Sequence, residues 1–389
     1  MHDYGNQILQ NGILDVFLKP KNWLVTRIQH KILNIFGKLP ERSHLSCYYS
    51  RIARRFVGGY LYSIKLEANN RCLQNCKICY VPKGDLEIPY DVIVNLLDQI
   101  RSFKIRFEIL GGEPLLHRDI VRIVEYAKKR SKVPFVSLYT NGILATSKMS
   151  QELKRAGLDA AIVSLISHKS DVHDECTGNT GSWLKAIKGI RNLALSGLNV
   201  YTFTPINRMN FEDYQDIYHF VKKELKVKAL FYPYIPQTKD DPFLIEPEIW
   251  HTIKHWILVE KNREHMEFVR KFFMLTGNVC SGGNFVLTVK ADGSVQPCPF
   301  ISDISLGNIY QDSIWTIYKK RFHLPKLLEF KSIPYECEEC SYKSVCGGGC
   351  KAGNQSLFCR YNCKDHKCLG PYRGELKRED LIDCVPSFF

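Results

Sequence analysis

No run of apolar residues in this 389-residue chain approaches the roughly 20 that a membrane-spanning helix needs, and its N-terminus lacks the basic, apolar, small-residue order of a secretory signal. A soluble, cytoplasmic protein is expected. Low-complexity tracts, collagen-like periodicity and internal repeats are also missing, which excludes fibrous and solenoid architectures. Disorder is excluded by what remains: 45% hydrophobic and 12% aromatic residues supply enough apolar surface to offset chain entropy. No nucleic-acid recognition motif or basic-aromatic stripe accompanies the net charge of +14, so nucleic acid is not an expected partner.

Part of that charge is localised. The first 60 residues hold nine Lys/Arg and three acids. Leu24, Ile28, Ile32 and Ile35 repeat at helical spacing with Arg27, Lys31 and Lys38 off the stripe, and residues 48–57 form a second helical stretch carrying Arg51, Arg54 and Arg55. A lid packed on the main domain with a solvated basic face is the plainer expectation. Docking of an acidic peptide, or peripheral contact with an anionic membrane, is the sharper one.

From about residue 60 to 234, short apolar or β-branched runs (61–66, 106–110, 135–139, 160–166, 200–204 and 230–234) alternate with helical periodicity (120–128, 149–156, 183–195 and 214–225). Strand followed by helix followed by strand predicts an α/β fold with a parallel sheet and helices outside it. Ligands of such folds sit at the carboxyl ends of the strands. A Pro- and Asp-containing stretch and a Trp-rich helix connect this region to a Gly- and Cys-rich one that begins near Cys280, with a short strand at 285–289.

Fifteen cysteines are an odd number for a disulfide framework, and grouped thiols in a reducing compartment are more often metal ligands. Directly after the first strand stand Cys72, Cys76 and Cys79, spaced C-x3-C-x2-C and followed by Tyr80. Three thiolates so placed can wrap three corners of a cubane cluster and leave one iron open to a small molecule. Zinc is the alternative, but no fourth Cys or His lies nearby. Gly111-Gly112-Glu113-Pro114 ends the second strand, where two glycines let main chain approach a ligand and Glu113 can accept from an ammonium.

This combination resembles the radical S-adenosylmethionine (SAM) superfamily. The resemblance implies a 4Fe-4S cluster on Cys72, Cys76 and Cys79, and contact of Gly111, Gly112, Glu113 and Pro114 with the SAM amino group. Asn141 and Ser164, at later strand ends, would meet SAM ribose or carboxylate, as would Gly181-Ser182-Trp183; each is equally a turn or capping residue. Thr177 stands where many relatives carry an arginine for the SAM carboxylate.

The C-terminal cysteines follow the spacing Cys280-x12-Gly293-x4-Cys298, then Cys337-x2-Cys340-x5-Cys346-x3-Cys350, then Cys368. The four-cysteine block alone would suit a zinc ribbon. The whole pattern closely resembles the SPASM extension of radical SAM enzymes, which holds one or two auxiliary iron-sulfur clusters. It implies one cluster on Cys337, Cys340, Cys346 and Cys368. A second falls on Cys280, Cys298 and Cys350, with its fourth ligand open: Met274 occupies a position where some relatives have cysteine. Pro299 follows Cys298 where sulfatase-maturing relatives carry a candidate base, which disfavours that subfamily.

The expected architecture is thus a basic helical N-terminal extension (1–58), a partial (β/α)6 barrel radical SAM core (59–235), a connecting helical region (236–279) and a small SPASM domain (280–389). The resemblance implies reductive cleavage of SAM to a 5'-deoxyadenosyl radical that abstracts hydrogen, in a barrel interior of apolar strands. A reductant such as flavodoxin or ferredoxin would supply the electron. The leading expectation is a maturase that crosslinks, forms a thioether in, or epimerises a ribosomally made peptide. The alternatives are radical chemistry on a small molecule (a sugar, lipid head group or natural-product intermediate) and, from another class, a zinc-binding interaction protein. Epimerisation needs a hydrogen donor; Cys176, expected in a strand-to-helix loop near the active face, and Cys384 are candidates.

Overall fold

The computed structural model describes residues 61–261 and 280–373 apart from positions 102, 104, 281, 284 and 322. The basic N-terminal extension, Cys47, Met274 and Cys384 therefore lie outside the described residues, and with them the expectations of a lid and of membrane contact. Among the described residues no helix is long and apolar enough to cross a membrane.

The core alternates as expected: β1 (Ser63–Glu67), α1 (Tyr90–Ile100), β2 (Arg106–Leu110), α2 (Ile120–Glu125), β3 (Val136–Thr140), α3 (Ser147–Ala156), β4 (Ala160–Ser164), α4 (Ser170–Thr177), α5 (Ser182–Leu195), β5 (Asn199–Ile206), α6 (Tyr214–Phe220) and β6 (Lys228–Pro233). These six strands pair in parallel and in sequential order. An order without reversal, with right-handed crossovers, places every helix on one face and curls the sheet around the other, as in a partial barrel.

Side-chain alternation separates those two faces. Ile64, Leu66, Phe107, Ile109, Val136, Leu138, Ala161 and Val163 are fully buried against the helices. Helix α1 answers with Ile93, Leu96, Leu97 and Ile100, a stripe at helical spacing. Helix α3 is bounded by a Thr146 side chain that accepts from the Met149 amide at one end and by left-handed Gly157 at the other.

The second region does not stand apart from the first. After α7 (Pro247–Lys261), strand β7 (Val286–Val289) pairs in parallel with the free edge of β1, and β8 (Ser294–Gln296) and β9 (Gly307–Asn308) extend it antiparallel, giving one nine-stranded sheet. Gly293 closes the β7–β8 turn at φ +79°, where a Cβ would lie 2.4 Å from the Tyr310 ring. Helices α8 (Ile314–Lys320), α9 (Pro325–Lys331), α10 (Lys343–Cys346) and α11 (Lys351–Phe358) complete the region. Tyr318, Leu327 and Phe330 carry its core into that of the barrel.

Candidate active site

One cavity of about 590 Å³ opens on the inner face of the sheet, and its wall includes Cys72, Cys76 and Cys79 together with all seven cysteines of the C-terminal pattern. Thiols placed far apart in sequence thus share one space.

The Cys72–Cys79 loop is fastened at both ends. At its base, the Gly112 amide donates to the Asn69 carbonyl at 2.9 Å and the Glu113 amide to the Arg71 carbonyl at 2.6 Å. A Cβ on Gly112 would lie 2.2 Å from the Arg71 carbonyl oxygen, and one on Gly111 2.5 Å from that of Asn69. These glycines therefore admit the chain segment that precedes Cys72, a packing role beside the expected approach to a ligand. Glu113 likewise has a structural role. It is fully buried, and its carboxylate accepts from the Leu115 amide (3.0 Å), Thr140 Oγ1 (2.7 Å) and the Asn141 amide (2.8 Å). It ties the end of β2 to the end of β3, while Pro114 begins a short buried turn behind it. Gly111, Gly112, Asn141 and Ser164 do line the cavity. Asn141 Nδ2 lies 3.8 Å from Cys72 Sγ, an amide donor aimed at a ligand atom.

The far end of the loop is held by the last turn of α4. The Asn75 amide donates to the Thr177 carbonyl at 2.9 Å, the Lys77 amide to the Cys176 carbonyl at 2.8 Å, and Lys77 pairs with Glu175 at 2.7 Å. Cys176 is thus within a helix and fully buried, off the cavity wall, where a loop position near the active face was expected. Its carbonyl positions the cysteine loop. Gly181-Ser182-Trp183 serves as a helix start: the Asp174 carboxylate accepts from the Gly181 amide (2.5 Å), Ser182 Oγ (2.9 Å) and the Trp183 amide (2.7 Å). Thr177 is spent locally on the Asp174 carbonyl and Ser182 Oγ.

The barrel interior is mostly apolar, as expected of its strands, with charged and hydroxyl groups set among aromatic rings. Lys65, Arg106, Glu108, Tyr139, Tyr201 and Tyr232 all line it. Glu108 accepts from Ser63 Oγ, lies 3.3 Å from the Tyr139 hydroxyl and pairs with Lys65 at 3.9 Å. Arg106 stacks 4.2 Å from the centre of the Phe135 ring and reaches the Tyr62 hydroxyl at 3.3 Å. The signal was present in the sequence as charges two residues apart on a strand buried on both faces.

Electrostatics sorts the C-terminal thiols into two sets. Cys280, Cys298 and Cys350 feel one another, burial pushing Cys280 up to about 11 and Cys298 up to about 12. Cys337 feels Cys346, Cys368 and Cys340, and burial pushes it up to about 12. Neither Cys359, which is exposed, nor Cys363, which is buried, lines the cavity, so no fourth cysteine joins the first set among the described residues. Tyr80 bridges the two regions: its ring centre lies 4.4 Å from that of Phe300, two residues after Cys298.

The donor sets suit iron-sulfur clusters. Burial also pushes the Cys76 thiol up to about 12, a value that holds it neutral until a cation reverses it. Among the described residues no three His, Cys, Asp or Glu side chains converge on one point as for a single metal ion. The ten thiols line one cavity.

The family model for the radical SAM superfamily matches residues 66–221, and that for an iron-sulfur cluster-binding domain, SPASM, matches residues 280–341. Among curated proteins, the AdoMet-dependent heme synthase of Methanosarcina barkeri is 24% identical over 74% of this chain and 90% of its own length. The antilisterial bacteriocin subtilosin biosynthesis protein AlbA of Bacillus subtilis is 28% identical over 72% of this chain and 65% of its own length. Among solved structures, Streptococcus suis SuiB bound to precursor peptide SuiA superposes with a TM-score of 0.64 at 16% identity, over 80% of this chain and 76% of SuiB, a likeness of fold.

Proposed function

From the premise that this chain belongs to the radical SAM superfamily and carries a SPASM domain, we propose that it modifies a ribosomally made peptide by hydrogen abstraction, forming a crosslink or thioether or inverting a stereocentre. The observation that carries this reading is the single cavity joining the Cys72–Cys79 loop to the seven C-terminal thiols. A substrate residue entering it would lie between two kinds of redox site. AlbA is named for bacteriocin biosynthesis and SuiB is seen with a precursor peptide, which supports a peptide over other substrates.

When bound, the 4Fe-4S cluster and SAM supply a 5'-deoxyadenosyl radical, and SPASM clusters supply electron transfer. The chain's own part is placement and exclusion. Cys72, Cys76 and Cys79 present three thiols from a loop held by Gly112, Glu113 and the end of α4. Asn141 aims an amide at Cys72, and a hydrogen bond to sulfur stabilises thiolate. Tyr139, Phe203 and Tyr232 face the cavity, where aromatic walls exclude water and quenchers from a radical. Glu108, Lys65 and Arg106 give the interior polar groups with which to orient a substrate residue.

A second reading, chemistry on a small molecule, is favoured by the heme synthase, which this chain matches over 90% of that protein's length. Anaerobic SAM cleavage by the reconstituted wild type and by Cys72→Ala/Cys76→Ala/Cys79→Ala tests the core of both. Wild type should release 5'-deoxyadenosine and the triple variant essentially none; equal release by the two would refute it. Mass change in a short precursor peptide encoded beside this protein then separates peptide from small-molecule chemistry.

A further inference from the structure

The strands contribute three charged side chains to the cavity wall: Lys65 of β1, and Arg106 and Glu108 of β2. The other cations of the wall stand among the C-terminal cysteines or, as Lys254, on α7. Lys65 and Glu108 are register partners across the β1–β2 ladder and pair at 3.9 Å, and Glu108 is held further by Ser63 Oγ and the Tyr139 hydroxyl. Arg106 is left over. Among the described residues it forms no ion pair; its Nη1 donates to the Tyr62 hydroxyl at 3.3 Å and its Nε to nothing.

Two rings hold this side chain in place. The guanidinium carbon lies 4.2 Å from the centre of the Phe135 ring and 5.7 Å from that of Tyr62. Stacking occupies the face of the planar group, whereas its N–H donors lie along the edge. A guanidinium set among rings is poorly solvated, and an anion compensates it. Two cations against one carboxylate leave these strands one positive charge, which a monoanion balances. A carboxylate also matches the guanidinium edge. A phosphate dianion would need a second cation, and Lys65 is already engaged by Glu108. Arg106 opens β2 and stands four residues before Leu110, or about 13 Å of strand from the end that carries the Cys72–Cys79 loop.

We propose that Arg106 binds a carboxylate of the substrate, so that the peptide offers an acidic side chain to the amino end of the barrel. Arg106 is then a specificity-determining residue, with Phe135 and Tyr62 as its supports. The inference deepens the proposed function, since it rests on the barrel interior receiving a substrate residue.

The test is equilibrium dialysis of the reconstituted, SAM-saturated full chain under anaerobic conditions. The probes are acetyl-Ala-Ala-Glu-Ala-Ala-amide and its Gln counterpart, which differ by one carboxylate, and the small molecules glutarate and glutaramide. Wild type should bind the Glu peptide about tenfold more tightly than the Gln peptide, the margin of a charge-assisted bond over a neutral one. Arg106→Gln should bring the two within about twofold, and Arg106→Lys, which keeps the charge but not the fork, should fall between. The wild-type comparison decides even where a variant does not fold. No preference for either carboxylate in wild type overturns the inference and leaves the peptide reading standing. A full Glu preference in folded Arg106→Gln also overturns it, and a loss of SAM affinity in that variant would then assign the guanidinium to the cofactor. Glutarate bound over glutaramide through Arg106, with neither peptide bound, keeps the carboxylate site and overturns the peptide reading instead.

Discussion

Replacing Gly112 by alanine tests the packing role of the glycine pair. The added methyl would stand 2.2 Å from the Arg71 carbonyl oxygen and 2.7 Å from its carbon, and backbone cannot yield as a side-chain tip does. The Gly112 φ lies outside the left-handed region, so the cost is steric. Overpacking of this kind costs roughly 1–3 kcal/mol. The hydrogen bonds from the Gly112 amide to Asn69 and from the Glu113 amide to Arg71 would stretch with it, at roughly 0.5–1.5 kcal/mol each. The total is about 2–6 kcal/mol, placed at the root of the Cys72 loop. Gly181→Ala is the control: φ there is +78°, yet nothing lies within 4 Å of its Cβ, so only a backbone cost of roughly 1–2 kcal/mol applies. Urea unfolding of the full chain and iron per chain after reconstitution are the measurements. Gly112→Ala should lose several kcal/mol and the iron of the Cys72–Cys76–Cys79 site, whereas Gly181→Ala keeps its iron. Stability within about 1 kcal/mol of wild type and full iron in Gly112→Ala would refute the packing role.

Asp174→Ala removes the acceptor of three donors at the start of α5 and should cost about 1–3 kcal/mol in urea unfolding. Its iron should fall too, since the same turn holds the loop at Asn75 and Lys77; unchanged iron would separate helix capping from loop positioning. His173 supplies a pH dependence. Burial pushes its imidazole down to about 4 from an ordinary 6.5, and its Nδ1 accepts from the Ile166 amide at 3.2 Å. Between those values the unfolded chain binds a proton that the folded chain refuses, so the stability present above pH 6.5 is lost as pH falls toward 4. The loss is about 3 kcal/mol, and a His173→Asn variant should lack it. Parallel stability-against-pH curves for the two proteins would rule out His173 as the cause.

Strand and helix positions were legible because β1 to β4 keep their helix-facing residues apolar at period two. Ser63–Glu67, Arg106–Leu110 and Val136–Thr140 fall within a residue or two of the expected runs. The cysteine spacing was legible because it is a local property, and the division into three and four is what the resemblance to the SPASM pattern implies. Long-range approach was not legible. That Gly112 abuts Arg71 depends on how two loops 41 residues apart meet, and nothing near either residue encodes it. Glu113 shows the same limit: its partners Thr140 and the Asn141 amide arrive from the end of the next strand, out of reach of any local pattern. Cys176 was misplaced because α4 is a short helix whose apolar stripe is interrupted by Asp171, Asp174 and Glu175.

The position of β7 explains why two distant cysteine patterns serve one cavity. It runs parallel to β1, with Ser63 opposite Val286 and Leu66 opposite Val289. The Cys72–Cys79 loop follows the carboxyl end of β1, whereas Cys280 precedes the amino end of β7, so the chain reaches the two redox sites from opposite ends of one strand pair. Lys290 closes the carboxyl end by pairing with buried Glu67 at 2.5 Å, and Tyr80 and Phe300 meet beside it. What lies between is the barrel interior with Lys65, Glu108 and Tyr139 at mid-strand. Along the whole wall Lys and Arg outnumber Asp and Glu seven to three, an excess that thiolate-ligated clusters would neutralise. Part of the chain's positive charge therefore has an internal use.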